Sequence, residues 1–320
     1  MPVTRDEVVW AYRMFLGRNP ESEAAIEGHM QAENIDAMRR GFMSSVEFSA
    51  RLSEVIGFYG PPLPIDMPGI EVDTEADASE LSGCVERIRE AWTLLGTTRP
   101  HWSVLTDKRY LPENIEGSIG KFWASGELEA QRLDRVLARH DYDKVAARTC
   151  VEFGCGVGRV TIPLGRRFAW VYAYDISPGH LELAGEHAVE EAVNNVSFIQ
   201  CSETLLDPLL RCDVFYSQLV FQHNPPPIIF VLVKNALRAL KPAGIAIFQV
   251  PTYIDGYRFK TAEWLNADHR LRMETHCLPQ RHIFEIAAQE DCKVLEIRED
   301  KRAGTLEKFV SNTFVICKNR

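Results

Sequence analysis

Hydrophobic positions change their period twice along this chain. Near the N-terminus the spacing is helical. Thr4 with Glu7 forms a capping-box pattern, and Val8, Val9, Tyr12, Phe15 and Leu16 then share one face until Gly17 and Asn19-Pro20 end the run. A second amphipathic stretch spans 21–33. A third, 35–52, places Met38, Phe42, Phe48 and Leu52 on one stripe. Residues 1–58 are therefore expected to form a small all-helical unit. The Pro- and Gly-rich stretch 59–64 and the acidic 66–77 sustain neither helix nor central strand, so 59–78 is expected to be a linker. Helical spacing returns over 79–146, in segments near 81–95 and 126–140. An aromatic stretch, with Trp102, Phe122 and Trp123, lies between them.

From residue 149 the pattern becomes short apolar runs separated by helical segments. Strands are expected at 150–153, 169–174, 196–200, 214–217 and 245–250, the alternation of a parallel sheet covered on both faces. After Pro279 come a helix, 280–289, and two strands, 294–298 and 314–317, with no helical pattern between the strands. They are expected to form an antiparallel hairpin at the sheet edge. The fold class is thus α/β: a Rossmann-like, seven-stranded, mostly parallel sheet with an antiparallel last strand over 147–320. A small helical N-terminal domain and a helical cap, 79–146, precede it. An insertion over 251–280 is expected to act as a substrate lid.

Composition adds mainly exclusions. Apolar residues make up 46% of the 320 and charged residues 25%, the proportions of a globular chain. The 45 acidic residues exceed the 36 Lys and Arg, for a net charge of -9, which argues against a nucleic-acid partner. The longest aliphatic run, 228–233, is far short of the ~20 residues that cross a bilayer, and no secretory signal is visible. Eight cysteines without a C-x-x-C pair fit buried thiols in a reducing cytoplasm. No spacing of His, Cys, Asp and Glu suggests a metal site.

The chemistry concentrates in Glu152-Phe153-Gly154-Cys155-Gly156-Val157-Gly158. A strand runs into a glycine turn and then a helix, so a ligand can approach backbone N–H groups closely. Asp175 ends the next strand, 21 residues after Gly154, where its carboxylate can take both hydroxyls of an adenosine ribose. Dinucleotide enzymes favour G-x-G-x-x-G. Here the spacing is G-x-G-x-G, and Glu152 sits two residues before the first glycine, where a carboxylate opposes a pyrophosphate but suits an α-ammonium. A nicotinamide oxidoreductase is disfavoured on those grounds.

These residues, with Asp213-Val-Phe-Tyr-Ser217 and Leu240-Lys-Pro-Ala-Gly-Ile-Ala-Ile-Phe248, resemble the motifs of class I S-adenosylmethionine-dependent methyltransferases over about 146–320. The resemblance implies S-adenosyl-L-methionine as cofactor. Glu152, Gly154 and Gly156 would lie along its methionine portion and Asp175 at the ribose, with Cys155, Gly158 and Ile176 also binding the cofactor. Ser202 and Glu203 would lie beside the adenine, and Gln218 at the reactive end. The stretch from His101-Trp102 to Phe122-Trp123 resembles the cap of a bacterial subgroup associated with cell-surface glycans, which implies that Trp102 and Trp123 close over the donor. The run from Tyr12 to Pro20, followed by Ser44-Ser-Val-Glu-Phe48, resembles a helical module of bacterial surface-polysaccharide enzymes, which implies docking to a glycan-assembly complex through 1–58. The expected reaction is O-methylation of a sugar or glycan precursor. The alternatives are a small-molecule or N-methyltransferase outside glycan metabolism and a non-catalytic donor-binding scaffold.

A hydroxyl acceptor must lose a proton, and a histidine is the usual base. His223, just beyond the fourth strand at the carboxyl edge of the sheet, is the first choice. His276 and His282 come second, and His101 could serve from the cap. His29, His140, His180, His187 and His269 read as solvated or capping. Asn224 is expected to cap the helix that Pro225 opens.

Overall fold

A computed structural model describes residues 3–48, 69–142, 144–201, 205–267, 273–300, 302–303 and 309–320. The chain divides into two compact units, Met1–Met67 and Pro68–Arg320.

In the first unit three helices, Arg5–Leu16, Glu23–Met30 and Ile35–Met43, bury Val8, Tyr12, Leu16, Ile26, Met38 and Phe42 together. The Thr4–Glu7 capping box is formed, and Gly17 closes the first helix in the left-handed conformation, φ 63°. The third stretch does not run on unbroken. Ser44 and Ser45 turn their hydroxyls onto the carbonyls of Gly41 and Phe42, and Ser45 Oγ then accepts the Phe48 N–H at 3.0 Å. Such local bonds compete with the helix ladder and end it. Phe48 still packs on the core, while Leu52 lies outside the described residues. His29 is not simply solvated: its ring stacks on Phe42 at 4.5 Å.

In the second unit seven strands form one sheet in the order β4-β3-β2-β5-β6-β9-β8. They are β2 Thr149–Phe153, β3 Trp170–Asp175, β4 Val196–Gln200, β5 Cys212–Ser217, β6 Leu240–Ile254, β8 Cys292–Glu299 and β9 Phe309–Lys318. The five strands from β4 to β6 are parallel, and β9 runs antiparallel to both β6 and β8. The hairpin therefore forms, but β9 lies inside the sheet and β8 is its edge. The order reverses at β2, which leaves a crevice at the carboxyl ends of β2 and its neighbours.

Side chains alternate across this sheet into two cores. Val151, Phe153, Phe215, Phe248 and Phe314 face one, covered by the helices Ala78–Thr98, Pro226–Ala239 and Gln280–Gln289. Cys150, Val214, Tyr216, Ile247 and Val315 face the other, against Leu133 and Leu137 of the helix Ile119–Arg139. Each fully buried aliphatic or aromatic side chain contributes roughly 1.5–3 kcal/mol by leaving water. That burial explains the near-continuous apolar runs of the central strands.

Two expectations are corrected. Residues 251–254, the start of the expected insertion, are strand and not loop. They continue β6 and pair with Phe309, Val310 and Ser311, because Val250, Thr252 and Ile254 keep the buried side of the pleat and a register shift accommodates Pro251. The stretch read as linker contains strand β1, Glu71–Val72, which pairs in parallel with β7, Arg258–Phe259. Asp73 fixes that pairing by accepting from Lys260 Nζ and the Thr261 N–H, both at 2.9 Å. Residues 59–68 lie outside the described residues. No helix among the described residues is long and apolar enough to cross a membrane.

Candidate active site

The crevice holds a cavity of about 880 Å³, including its open mouth. Its floor is the turn after β2. Gly154 and Gly156 have φ of 77° and 54°, the left-handed region that disfavours side chains. The chain presses on both: a Cβ on Gly156 would lie 2.6 Å from Val104 Cγ2, and one on Gly154 would collide with the Val220 side chain. The Gly154 and Cys155 N–H groups bond the Tyr174 carbonyl at 2.8 and 2.9 Å, which ties the turn to β3. Gly158, also expected to line the ligand, does not line this cavity. At φ 82° its Cα faces Ala184, with a Cβ position 3.1 Å from the alanine methyl, so it sets how closely the helix Pro178–Glu190 approaches the turn.

Asp175 is the organising anion. Oδ2 accepts the Gly156 N–H at 2.8 Å and Oδ1 accepts the Ser177 N–H at 2.9 Å. A carboxylate has about four acceptor positions, so two remain for a diol. Ile176 and Cys155 line the same wall. Glu152 is buried on β2 and accepts from Thr161 Oγ1 at 2.6 Å. Burial pushes its pKa up to about 7, against the opposing pull of the Thr161 hydroxyl and the Arg159 charge. It can therefore switch between neutral and anionic near neutral pH. Burial holds the cavity-lining thiols Cys155 and Cys201 well above their usual pKa, so they are inert.

The cap contributes Ile88, Trp92, Ser103 and Val104 to the wall. The aromatic cover is Trp92, not the expected pair. Trp102 lies beneath the Arg99 guanidinium at 5.7 Å, and Trp123 stacks on His187 at 3.7 Å, so both are used in packing the cap. Helical spacing carried the signal for Trp92, which falls four residues after Ile88 and eight after Cys84 on one buried face.

The histidines also differ from expectation. His223 stays outside the cavity, half-buried beside Trp92 at 5.2 Å between ring centres. Its Nδ1 bonds the Glu274 carbonyl at 2.8 Å and its Nε2 lies 3.1 Å from Gln222 Nε2, so both nitrogens are engaged. Burial lowers its pKa to about 4, which makes it a poor base. His276 bonds Tyr257 Oη through Nδ1, His282 pairs with Glu285, and His101 packs against Phe122; none of the three lines the cavity. His180, read as solvated or capping, is buried and does line it. Its Nε2 lies 2.8 Å from Ser103 Oγ, and its Nδ1 lies 3.6 Å from Asp175 Oδ1. The sequence signal was its place in the first turn after Asp175, where Ser177 Oγ caps its N–H. His140 bonds Glu296 at 2.9 Å, and His269 lies outside the described residues. Asn224 does not cap the helix after Pro225: its Nδ2 bonds the Val220 carbonyl at 2.9 Å, and it too lines the cavity.

Gln218 stands where expected, at the end of β5. Ser202 and Glu203 lie outside the described residues. Buried side-chain atoms without a hydrogen-bond partner gather around this cavity: Arg159 Nε, His180 Nδ1 and Gln218 Oε1. Buried polar atoms are rarely left unpaired, because each costs roughly 1–3 kcal/mol. Three of the five such atoms among the described residues are on residues that line this crevice; Thr261 Oγ1 and His276 Nε2 are not. Among the described residues no group of three or more His, Cys, Asp or Glu could hold a metal ion.

Comparison with known proteins agrees with this geometry. Residues 150–244 match the family model described as a methyltransferase domain. Ubiquinone biosynthesis O-methyltransferases are similar in sequence. That of Chelativorans sp. (strain BNC1) is 28% identical over 135 residues, 39% of this chain and 53% of the relative. That of Xanthomonas oryzae pv. oryzae is 30% identical over 118 residues, 37% of this chain and 47% of the relative. The chain thus spans about half the length of the curated relatives it matches. In fold it is similar to the magnesium protoporphyrin IX methyltransferase of Synechocystis PCC 6803. With SAH bound, that structure superposes with a TM-score of 0.52 at 17% identity, covering 74% of this chain and 100% of the other. With SAM bound, the score is 0.50. The fold is the Rossmann-like fold of methyltransferases. Within that fold, residues 150–244 of this chain are similar to a methyltransferase domain.

Proposed function

We propose that this chain transfers a methyl group from S-adenosylmethionine to an oxygen of a small acceptor. The observation that carries the proposal is the glycine turn at the end of β2, held by Asp175 and facing three unpartnered buried polar atoms. The residues fit such a donor. Gly154 and Gly156 let Val220 and Val104 close on the turn that lines the cavity, and Asp175 has spare acceptor positions for a diol, with His180 near its Oδ1. Glu152 offers a carboxylate to an α-ammonium, and Gln218 Oε1 offers an unused acceptor at the open side. When bound, the sulfonium donor supplies an already activated methyl group for in-line displacement, so the protein's part is alignment and exclusion of water. Ile88, Trp92, Val104 and Val220 exclude that water.

Among the described residues the histidine that lines the cavity is His180, 3.6 Å from Asp175 Oδ1, and no dedicated base is assigned. A sugar or glycan precursor, the acceptor read from the cap and the first 58 residues, is one arm of the test. A phenolic ring is the other, since the similar sequences are named for ubiquinone biosynthesis. Incubating the full chain with methyl-labelled donor and each acceptor class, then counting label in product, tests the proposal. Label in either supports methyl transfer and selects the acceptor class. A chain that binds S-adenosylhomocysteine yet labels neither class, nor an unfractionated small-molecule extract, is the scaffold instead.

A further inference from the structure

A second cavity, about 1310 Å³ including its open mouth, adjoins the first and shares two of its wall residues, Tyr216 and Gln218. It lies between the helix Ile119–Arg139 and the strands β6, β9 and β8, with Ile247, Thr313 and Val315 in its floor. Its rim is cationic in a protein whose net charge is negative: Arg132, Arg135, Arg139, Arg298 and Arg302 stand against Glu129, Glu296 and Asp300.

How these charges pair leaves a surplus facing the cavity. Glu129 is buried and serves two arginines, Arg132 at 2.8 Å and Arg302 at 3.0 Å, while also accepting from Tyr216 Oη at 3.1 Å. Glu296 likewise serves Arg139 at 2.8 Å and Arg298 at 3.3 Å. One carboxylate can neutralise only one of its two guanidiniums. Asp300 accepts from Thr313 Oγ1 at 2.6 Å and from the Arg302 N–H at 3.1 Å and keeps its charge, so three carboxylates face five guanidiniums. The glutamate side chains are 6% and 20% exposed, whereas those of Arg132 and Arg298 are 55% and 64% exposed. Arg132 and Arg298 are thus more exposed than the acids they pair with, while Arg302, at 23%, is buried about as deeply as Glu296. Forked guanidiniums held from behind by carboxylates are preorganised to take a second anion in front.

We infer that this arginine-rimmed cavity is the acceptor site, and that the acceptor carries a carboxylate or phosphate group anchored there. This inference rests on the proposed methyl transfer, because the wall shared at Tyr216 and Gln218 joins the anchor to the donor cavity. An acceptor held by its anion across Arg135, Arg298 and Arg302 reaches past Tyr216 and Gln218 to the donor cavity. The unpartnered Gln218 Oε1 then accepts a hydrogen bond from the acceptor's hydroxyl. The transfer forms the acceptor's O–CH₃ bond and breaks the donor's C–S bond. The sulfur leaves with the electron pair as a thioether, and the hydroxyl proton passes to solvent.

The test is calorimetric titration of the full chain, with and without S-adenosylhomocysteine, using glucuronate, glucose 1-phosphate and uncharged glucose. The expected result is binding of at least one anion, carboxylate or phosphate, and none of glucose. Arg135→Gln with Arg298→Gln should weaken that binding at least tenfold while S-adenosylhomocysteine affinity stays unchanged, which also shows that the variant is folded. Anions that bind no better than glucose, or that bind the double variant as well as the native chain, would overturn the inference. Loss of S-adenosylhomocysteine binding alone would remove the methyl-transfer reading and leave an anion site standing. In a labelled-donor assay on a small-molecule extract separated by charge, label in the anionic fraction supports the inference, and label confined to the neutral or cationic fraction overturns it.

Discussion

The backbone N–H of Gly156 donates to Asp175 Oδ2 at 2.8 Å, so the residue expected to hold a ribose also holds the glycine turn that lines the cavity. The other oxygen of Asp175 holds the Ser177 N–H that starts the next helix. Removing that carboxylate costs twice, once in ligand contacts and once in turn geometry. Asp175→Ala is expected to weaken S-adenosylhomocysteine binding by about 1–3 kcal/mol, roughly 5- to 150-fold. Calorimetry checks this, and unchanged affinity would remove Asp175 from the site.

Glu152 gives the site a pH dependence with a definite sign. Its pKa in the fold is raised from 4.5 to about 7 by burial. Its contribution to stability is fully present below 4.5 and is lost as pH rises towards 7, about 3 kcal/mol in all. Glu152→Gln is expected to flatten that part of the stability curve in urea titrations. A donor ammonium favours the ionised form, so S-adenosylhomocysteine binding below pH 7 should release a proton, visible as a dependence of the binding heat on the buffer. A binding heat independent of buffer ionisation would place the ammonium elsewhere.

His223 is expected to act on stability, not on chemistry. Its folded pKa of about 4 lies below the ordinary 6.5, so its contribution is present above pH 6.5 and is lost as pH falls towards 4. His223→Ala should lower stability by about 1–3 kcal/mol through the lost bond to the Glu274 carbonyl, while the pH profile of methyl transfer keeps its shape. A lost ionisation near neutrality in that profile would restore His223 as the base.

Gly156→Ala is expected to disable donor binding more than it destabilises the fold. The new methyl meets Val104 at 2.6 Å and sits at φ 54°, a conformation that costs roughly 1–2 kcal/mol for a residue with a side chain. Adding Val104→Ala should recover part of the affinity, because it removes the clash but not the backbone strain. A single variant with native affinity would show that the turn does not seat the donor.

The sheet was legible because each central strand is buried on both sides and carries a run of apolar residues. The strand 196–200 and the helix 280–289 fall where the periodicity puts them. What escaped is what depends on distant partners. Nothing local to Val250–Ile254 says that β9 continues beside it. Trp102 and Trp123 have the residue type of a donor cover, yet Trp102 lies under Arg99 and Trp123 stacks on His187. Gly158 and His180 exchanged roles with expectation for the same reason: Ala184 and Asp175, the groups they face, are set by tertiary packing and not by spacing. The arginine rim assembles from a helix, a strand and the segment after β8, and no local motif links them.

Titrating the full chain with S-adenosylhomocysteine, and separately with NAD, tests the central claim most directly. The account predicts one-to-one binding of S-adenosylhomocysteine in the micromolar range, weakened in Asp175→Ala, and no heat with NAD. Absence of S-adenosylhomocysteine binding, or tighter binding of NAD, would contradict it.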